Sequence, residues 1–444
     1  MAHGCGSAGV SGDKLQLKNL TVEEARGRML SDAGRLGIEQ VALPDAIGRV
    51  LAAPIVADRD QPPFDASAMD GWAIRQADLA PGARFRVAGE SAAGRAYPRP
   101  VGTGQAVRIF TGAPVPQGAD LVVIQENAVR DGAAVSFTVD RDPPPVNIRP
   151  AGGDFRSGDP LLAEGARIDA WRLSLAAAAG RAELSVARRP RVAILATGDE
   201  LVPPGSTPAA DQIFESGSFS LAALVTAWGG EAVRLKAQAD DLEAIARVVD
   251  AAEVDLIVTV GGASVGDHDL VKPALETLGL DLRVQTIAVR PGKPTWFGTL
   301  APKDGRSGRR VLGLPGNPAS SMVAFEEFVR PAILKMQGRR ALRHPTLQAV
   351  AEVALDNRGG RRSFVRGYVH HHEGEYRVRP AGPEGAGIMT TMVRANCFIV
   401  LPETVERVAP GELVTVELLD APAAEEPGAT VLAGAAGAAD DCCG

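Results

Sequence analysis

Three short apolar runs, each closed by a glycine turn, limit this chain to few folds. Residues 254–260 (VDLIVTV) are β-branched and end in Gly261-Gly262. Residues 191–196 (RVAILA) end in Thr197-Gly198-Asp199-Glu200, and 311–314 (VLGL) run into Pro315-Gly316-Asn317-Pro318. Apolar runs of this length read as buried strands. Helical spacings follow: 212–228, then Leu270, Ala274, Leu275 and Leu278, then 319–336 with Ser320 and Ser321 in its first turn. Another helix is expected at 242–251, with Asp240-Asp241 as caps. Strands alternating with helices predict a doubly wound, mostly parallel α/β sheet. Ligands of such sheets bind beyond the strands' carboxyl ends.

Glycines let backbone approach a ligand there, and helix starts attract anions. A further loop, Arg290-Pro-Gly-Lys293-Pro, follows an expected strand at 283–289. Ser264, Asp267 and Asp269 follow Gly262. Two aspartates would repel a bare phosphate, so a cation is expected between them and an anionic ligand. The plain alternative is a turn in which Asp267 or Asp269 caps the helix. The crevice has no serine–histidine–acid set, and Gly292-Lys293 is followed by Pro294, so there is no Walker-type phosphate loop. Carboxylates without a strong nucleophile point to a hard cation, most simply Mg²⁺, with Glu200 and Asp269 as ligands. Lys293 and the helix start after Pro318 would hold phosphate or oxyanion groups, and Ser264 and Thr111 would donate hydrogen bonds. From the residues alone, the chemistry is Mg²⁺-assisted cleavage or transfer at a phosphoanhydride.

Eight motifs, in order, carry a resemblance: PPFDASAMDG (62–71), TGAP (111–114), RPAGGD (149–154), TGDEL (197–201), GGASVGDHD (261–269), RPGKP (290–294), GLPGNPASS (313–321) and RAN (394–396). Together they resemble the molybdenum insertase family, the bacterial MoeA proteins and the E domain of gephyrin, over about residues 15–419. The resemblance implies binding of adenylylated molybdopterin with Mg²⁺, entry of molybdate into the dithiolene, and release of AMP and molybdenum cofactor. It implies a homodimer with a shared site, and contacts to a molybdopterin adenylyltransferase and molybdoenzyme chaperones. The candidate catalytic set is Asp70, Thr111, Glu200, Asp240, Asp267, Asp269 and Lys293. The candidate substrate-binding set is Asp154, Ser216, Gly261, Gly262, Ser264, Lys272, Arg290, Pro315, Gly316, Asn317 and Pro318. Two other classes are a gephyrin-like scaffold and an ATP-using molybdopterin adenylyltransferase. The acids and lysine kept together argue against the first, and the additional modules against the second.

The chain departs from the family pattern at four places. Glu215-Ser216-Gly217-Ser218 stands where Ser-Asn is usual, and Arg290 where lysine is frequent. Pro383-Glu-Gly-Ala386 replaces Gln-Gly-Ser, and Cys397 replaces glycine after Asn396. Gly217 and Ala386 each remove a polar side chain, which bears on oxyanion affinity and on the choice between molybdate and tungstate.

The rest of the chain reads as modules. Thr21 and Glu24 form a capping box for a helix to about Ser31. Residues 56–146 are a β-rich insert, in which Asp65, Ser67 and Asp70 lie on an irregular Pro62-Pro63 loop. The family's architecture makes 15–55 and 147–187 one discontinuous linker and dimerisation module, with a helix at 171–179. The α/β domain is 188–338, and 346–420 is a small β-barrel. Residues 1–14 and 421–444 are expected to be disordered. The net charge of −7 and 4% aromatic content argue against a nucleic-acid binder. No run approaches the roughly 18 apolar residues of a membrane helix. The start lacks a secretory signal, and four scattered cysteines form no disulfide framework, so a cytoplasmic protein is expected. His370-His371-His372 alternate faces on a strand, which favours a hairpin end over a metal site.

Overall fold

The computed structural model describes residues 17–31, 33–138, 144–236, 241–261, 270–302 and 308–422. They form two compact units: Glu39–Val186, and the described parts of Met1–Ile38 with Ala187–Gly444.

In the first unit a curled six-stranded sheet has the order Leu121–Ile124, Gly71–Ile74, Gln105–Ile109, Arg84–Ser91, Ala134–Phe137, Ala128–Asp131. Alternation gives each face a core: Trp72 and Ile74 join Phe85 and Leu121 on one side, while Ala73 joins Val107, Ile109 and Val122 on the other. A separate core joins Ala46, Leu51 and Ile55 to Ile168, Leu184 and Val186. It includes Ala176 of the helix Ala170–Ala178, whose Asp169 caps the N–H of Arg172 at 2.8 Å.

The second unit is built on a six-stranded sheet in the order Glu231–Arg234, Arg191–Ala196, Leu256–Val260, Arg309–Leu314, Trp296–Leu300, Leu280–Val284. The first four strands are parallel, and the last two pair antiparallel. The strand expected at 283–289 is therefore Leu280–Val284, while Val289–Arg290 pairs elsewhere. Both faces are covered, as runs such as VAIL require. Val192 and Ile194 pack with Leu221, Val225 and Phe325, whereas Ala193 and Leu195 pack with Ile245, Val249 and Leu275. The helix Val22–Ser31 adds Val22, Ala25 and Met29 to the first face. Its capping box is reciprocal: Glu24 accepts the N–H of Thr21 at 2.9 Å, and Thr21 Oγ1 accepts that of Glu24 at 3.2 Å. The expected helix at 212–228 begins only at Gly217, because Ile213–Phe214 pairs with Leu201–Val202 as a small ribbon.

Downstream, five strands close on themselves. Arg362–His372 pairs with Glu375–Pro380 and also with Cys397–Leu401, and Thr346–Ala351 and Leu413–Leu418 complete the circuit. This is the expected small barrel, and closure removes its sheet edges. Burial in its wall pushes the Cys397 thiol up to about 12, so it is inert at neutral pH. His370 is buried near Glu352, 3.7 Å away, while His371 and His372 face outward. No described group of three or more His, Cys, Asp or Glu could hold a metal.

A buried ionic network joins helix, body and barrel. The helix Pro318–Ala324 passes through a π turn, Phe325–Val329, into Arg330–Met336. Arg26 pairs with Glu327, Arg330 with Glu326 at 3.1 Å, and His344 with Glu326 at 2.9 Å. Burial, and then the Glu417 carboxyl on the barrel, push Glu327 well above the ordinary range, against the pull of Arg26 and Arg330. A raised folded value means that this stabilising contribution is complete below the ordinary glutamate range and is lost as pH rises through the raised value. Melting temperature should thus fall as pH rises above the ordinary glutamate range, and Glu327→Gln should flatten that slope whatever it does to the level. Equal slopes for the two proteins in a thermal-shift series would contradict the raised Glu327 carboxyl.

Candidate active site

The sheet topology sends several loops to one edge. Leu280–Val284 runs antiparallel to Trp296–Leu300, which runs antiparallel to Arg309–Leu314. The 285–295 connection therefore leaves at the edge where Arg191–Ala196, Leu256–Val260 and Arg309–Leu314 end. Backbones there are close: Thr197 N–H donates to Val260 O at 3.0 Å, and Gly261 N–H to Leu314 O at 3.3 Å. Gly261 has φ +93°, and a Cβ on it would lie 2.3 Å from the Thr197 carbonyl oxygen, so only glycine fits. A Cβ on Gly316 would lie 3.4 Å from Gly261 Cα, an ordinary contact, so Pro315-Gly316-Asn317-Pro318 sits directly on this floor.

Glu200 leaves the same edge. Its carboxylate folds over the Gly198 turn, where a Cβ would lie 2.5 Å from Oε2. It is exposed and makes no hydrogen bond or ion pair with another described residue. Asp240, Gly262, Ser264, Asp267 and Asp269 lie outside the described residues. Glu200 alone of the two expected metal ligands is therefore described, and an exposed carboxylate without a described cationic partner suits a hard cation.

The RPGKP loop is held tightly. Ile287 N–H donates to Lys293 O at 3.0 Å, and Thr295 Oγ1 to Gly292 O at 2.7 Å. The Arg290–Pro291 peptide is cis, and Gly292 has φ +112°. Val289–Arg290 forms a parallel ladder with Arg362–Ser363 of the barrel. Between loop and barrel lies a cavity of about 290 Å³, lined among others by Arg290, Lys293, Ser320, Arg361, Arg366 and Glu384. The ammonium of Lys293 and the guanidinium of Arg361 make no hydrogen bond or ion pair with a described residue, and Lys293 is exposed. Buried Asn357 holds the Arg361 backbone: its Nδ2 donates to Arg361 O at 3.1 Å and Pro402 O at 2.9 Å. Arg366 is buried, donates from Nε to Thr391 Oγ1 at 2.7 Å, and is pulled below the usual arginine value by desolvation.

The helix start after Pro318 does not offer the row of free N–H groups that the sequence leads one to expect, because the Ala319 N–H donates to Ala386 O at 3.0 Å. Pro318 has none, so of this first turn Ser320, which lines the cavity, is the residue beside it whose N–H is not taken by Ala386. Ser216 does not cap its helix: the buried Glu215 carboxylate does, accepting from Ser218 N at 2.7 Å and Ser218 Oγ at 2.8 Å. Ser216 Oγ lies 3.8 Å from Met389 Sδ. Lys272 stands over the Trp296 ring at 5.6 Å. Arg290 is paired with Glu384 at 3.2 Å. Asp154 is exposed in the other unit, where its N–H donates to Gln61 O at 2.9 Å.

Asp70 and Thr111, in that same unit, meet. Asp70 Oδ1 accepts the N–H of Thr111 at 2.7 Å and its hydroxyl at 2.8 Å. Those two bonds hold the carboxyl below its usual range. The hydroxyl expected to donate to an oxyanion donates to Asp70 instead.

Ser320, Arg361, Arg366 and Glu384 are not among the residues expected at the site. The arginines sit in RRSFVRG, at and just before the start of the strand Arg362–His372, whose partner loop is some 70 residues upstream. Only the break in pattern at Glu384 marks that segment in the sequence.

Three family models match in order: the MoeA N-terminal region, domains I and II, at residues 20–180; the probable molybdopterin binding domain at 193–335; and the MoeA C-terminal region, domain IV, at 348–419. A molybdopterin molybdenumtransferase of Haemophilus influenzae is 36% identical over 90% of this chain and 98% of its own. One from Bacillus subtilis is 33% identical over 90% and 94%. The structure is similar to that of a molybdopterin biosynthesis MoeA protein from Pyrococcus horikoshii, with TM-score 0.77 and 30% identity over 91% of this chain and 100% of that one. The chain belongs to the molybdopterin molybdenumtransferase family, a family of transferases in molybdenum cofactor biosynthesis.

Proposed function

We propose that this protein inserts molybdenum, delivered as molybdate, into adenylylated molybdopterin, with Mg²⁺ bound and AMP released. The observation that carries the reading is the basic cavity between the RPGKP loop and the barrel. Lys293 and Arg361 bring two cations that no described residue pairs to a space of about 290 Å³, beside the buried Ser320. A small tetrahedral dianion needs such a pocket, with fixed donors and more cationic charge than the one acid lining it can cancel. The floor of Gly261 and Gly316 at the sheet edge would let an elongated pterin phosphate lie against backbone. Lys293 Nζ, Arg361 and Ser320 Oγ would orient the oxyanion, and the stiff loop would keep them in place without reorganisation.

Glu200 would hold Mg²⁺, with Asp269 as second ligand. The bound ion would neutralise phosphoanhydride charge. Mg²⁺ keeps several waters and takes few protein carboxylates, so two ligands would suffice. Water would cleave the phosphoanhydride to AMP and the pterin phosphate, and the two dithiolene sulfurs would replace one molybdate oxygen, which leaves as water with their two protons.

The protein is also proposed to act as a homodimer. Trp171 is 85% exposed on its helix, and tryptophan is enriched among the residues that anchor protein–protein interfaces. Light scattering over a dilution series should show a dimer throughout the active range, and a fully active monomer would refute it. The main test is AMP release from adenylylated molybdopterin, which should require both molybdate and Mg²⁺. Glu200→Gln should fold normally and lower turnover by about two powers of ten. A wild-type rate in that variant, with unchanged Mg²⁺ dependence, would remove Glu200 from the metal site. No AMP from the wild-type protein would end the reading.

A further inference from the structure

The cavity beside the RPGKP loop is bordered by a segment whose three residues each place an oxygen on a different donor. Glu384 Oε2 lies 3.2 Å from Arg290 Nη2. The Gly385 carbonyl accepts from Arg366 Nη2 at 3.2 Å. The Ala386 carbonyl accepts the Ala319 N–H at 3.0 Å, at the start of the helix that carries Ser320. A guanidinium fork, a second guanidinium and a helix-start N–H are the groups that ordinarily bind oxyanions. Here they are met by three oxygens of the chain itself. The far end of the segment is fastened, since Arg366 Nε donates to Thr391 Oγ1 at 2.7 Å and Thr391 Oγ1 donates to Ile388 O at 2.9 Å.

We propose that residues 384–386 are an internal competitor for the oxyanion, and that Glu384 sets the affinity and charge preference of the pocket. This rests on the reading that the cavity takes an oxyanion. Of the three oxygens, two are backbone carbonyls and carry no formal charge. Only Glu384 brings a full negative charge, and it sits on Arg290, one of the pocket's four cations. The pair is weak, because its side chains are 43% and 41% exposed, so the carboxylate can swing off Arg290 at little cost. While in place it cancels Arg290 and repels an incoming anion in proportion to that anion's charge. The pocket is therefore set against dianions more than against monoanions of the same shape. Lys293 and Arg361, which no described residue neutralises, do the holding.

Calorimetric titration of the full chain with molybdate, a tetrahedral dianion, and with perrhenate, a tetrahedral monoanion, tests this. Glu384→Gln keeps the size and a hydrogen-bonding oxygen but removes the charge. It should tighten molybdate about tenfold and perrhenate about threefold, the ratio that a single repelling charge imposes. In an Arg290→Gln background the same change should still favour the dianion, since the repulsion acts on the ligand itself. Lys293→Ala, measured alongside, should weaken molybdate in the wild-type background. If Lys293→Ala weakens binding but Glu384→Gln leaves it unchanged, or weakens it, the competitor is refuted and the pocket stands. If Glu384→Gln tightens both anions equally, the effect is one of shape and the inference is likewise wrong. If Lys293→Ala has no effect on molybdate, the pocket is not the oxyanion site and both readings fall.

Discussion

The two-residue parallel ladder between Val289–Arg290 and Arg362–Ser363 is the connection on which the rest of the site depends. It joins an α/β body to a barrel by backbone hydrogen bonds, so the two walls of the cavity are fixed by main-chain geometry and not by side-chain contact alone. The N–H of Arg362 donates to Ala288 O at 3.1 Å, and that of Ala288 to Leu20 O at 2.7 Å, so the segment is held from both sides. With residues 288–290 fixed, Gly292 turns the chain at a positive φ and places Lys293 opposite the barrel. On the other wall, Ser363 Oγ donates to Asn357 Oδ1 at 2.6 Å and Asn357 holds Arg361. The cations that face the cavity are thus positioned by buried hydrogen bonds one layer behind them, which is how a site keeps its geometry when a charged ligand enters.

Charge is distributed unevenly around the crevice. Glu200 stands at the parallel strand ends without a described cationic partner, whereas the lysine and arginines gather at the antiparallel side, against the barrel. On the proposed function, the arrangement would separate a place for a cation from a place for an oxyanion along one sheet edge. A substrate that carries a phosphoanhydride at one end and must receive an oxyanion at the other has these two needs. The sheet domain by itself supplies only the first wall, since Arg361, Arg366 and Glu384 come from downstream of it.

The strand and glycine pattern makes the sheet legible, because a run such as VAIL, apolar at every position, suits a parallel strand buried on both faces and little else. The Thr21–Glu24 box is readable because its two hydrogen bonds join residues only three apart. Everything decided at long range is hidden. Nothing local marks Val289–Arg290 as the partner of Arg362–Ser363, and the apolar character of 283–289 conceals the break at Val284. Thr111 looks like a free donor until Asp70, 41 residues away, takes its hydroxyl hydrogen bond. The first turn after Pro318 looks open in the sequence, since the Ala386 carbonyl that closes it arrives from the barrel side. Charged residues in a strand give no sign of which space they face, which is why Arg361 and Arg366 do not stand out from the sequence.

The proposed function depends on where the oxyanion sits. Crystals of the protein soaked in molybdate, with data collected at the molybdenum absorption edge, locate it directly. The account predicts an anomalous peak in the cavity between the RPGKP loop and the barrel, within hydrogen-bond reach of Lys293 Nζ and Ser320 Oγ, and its loss in Lys293→Ala crystals. A peak at the parallel strand ends beside Glu200, with the cavity empty, would contradict it.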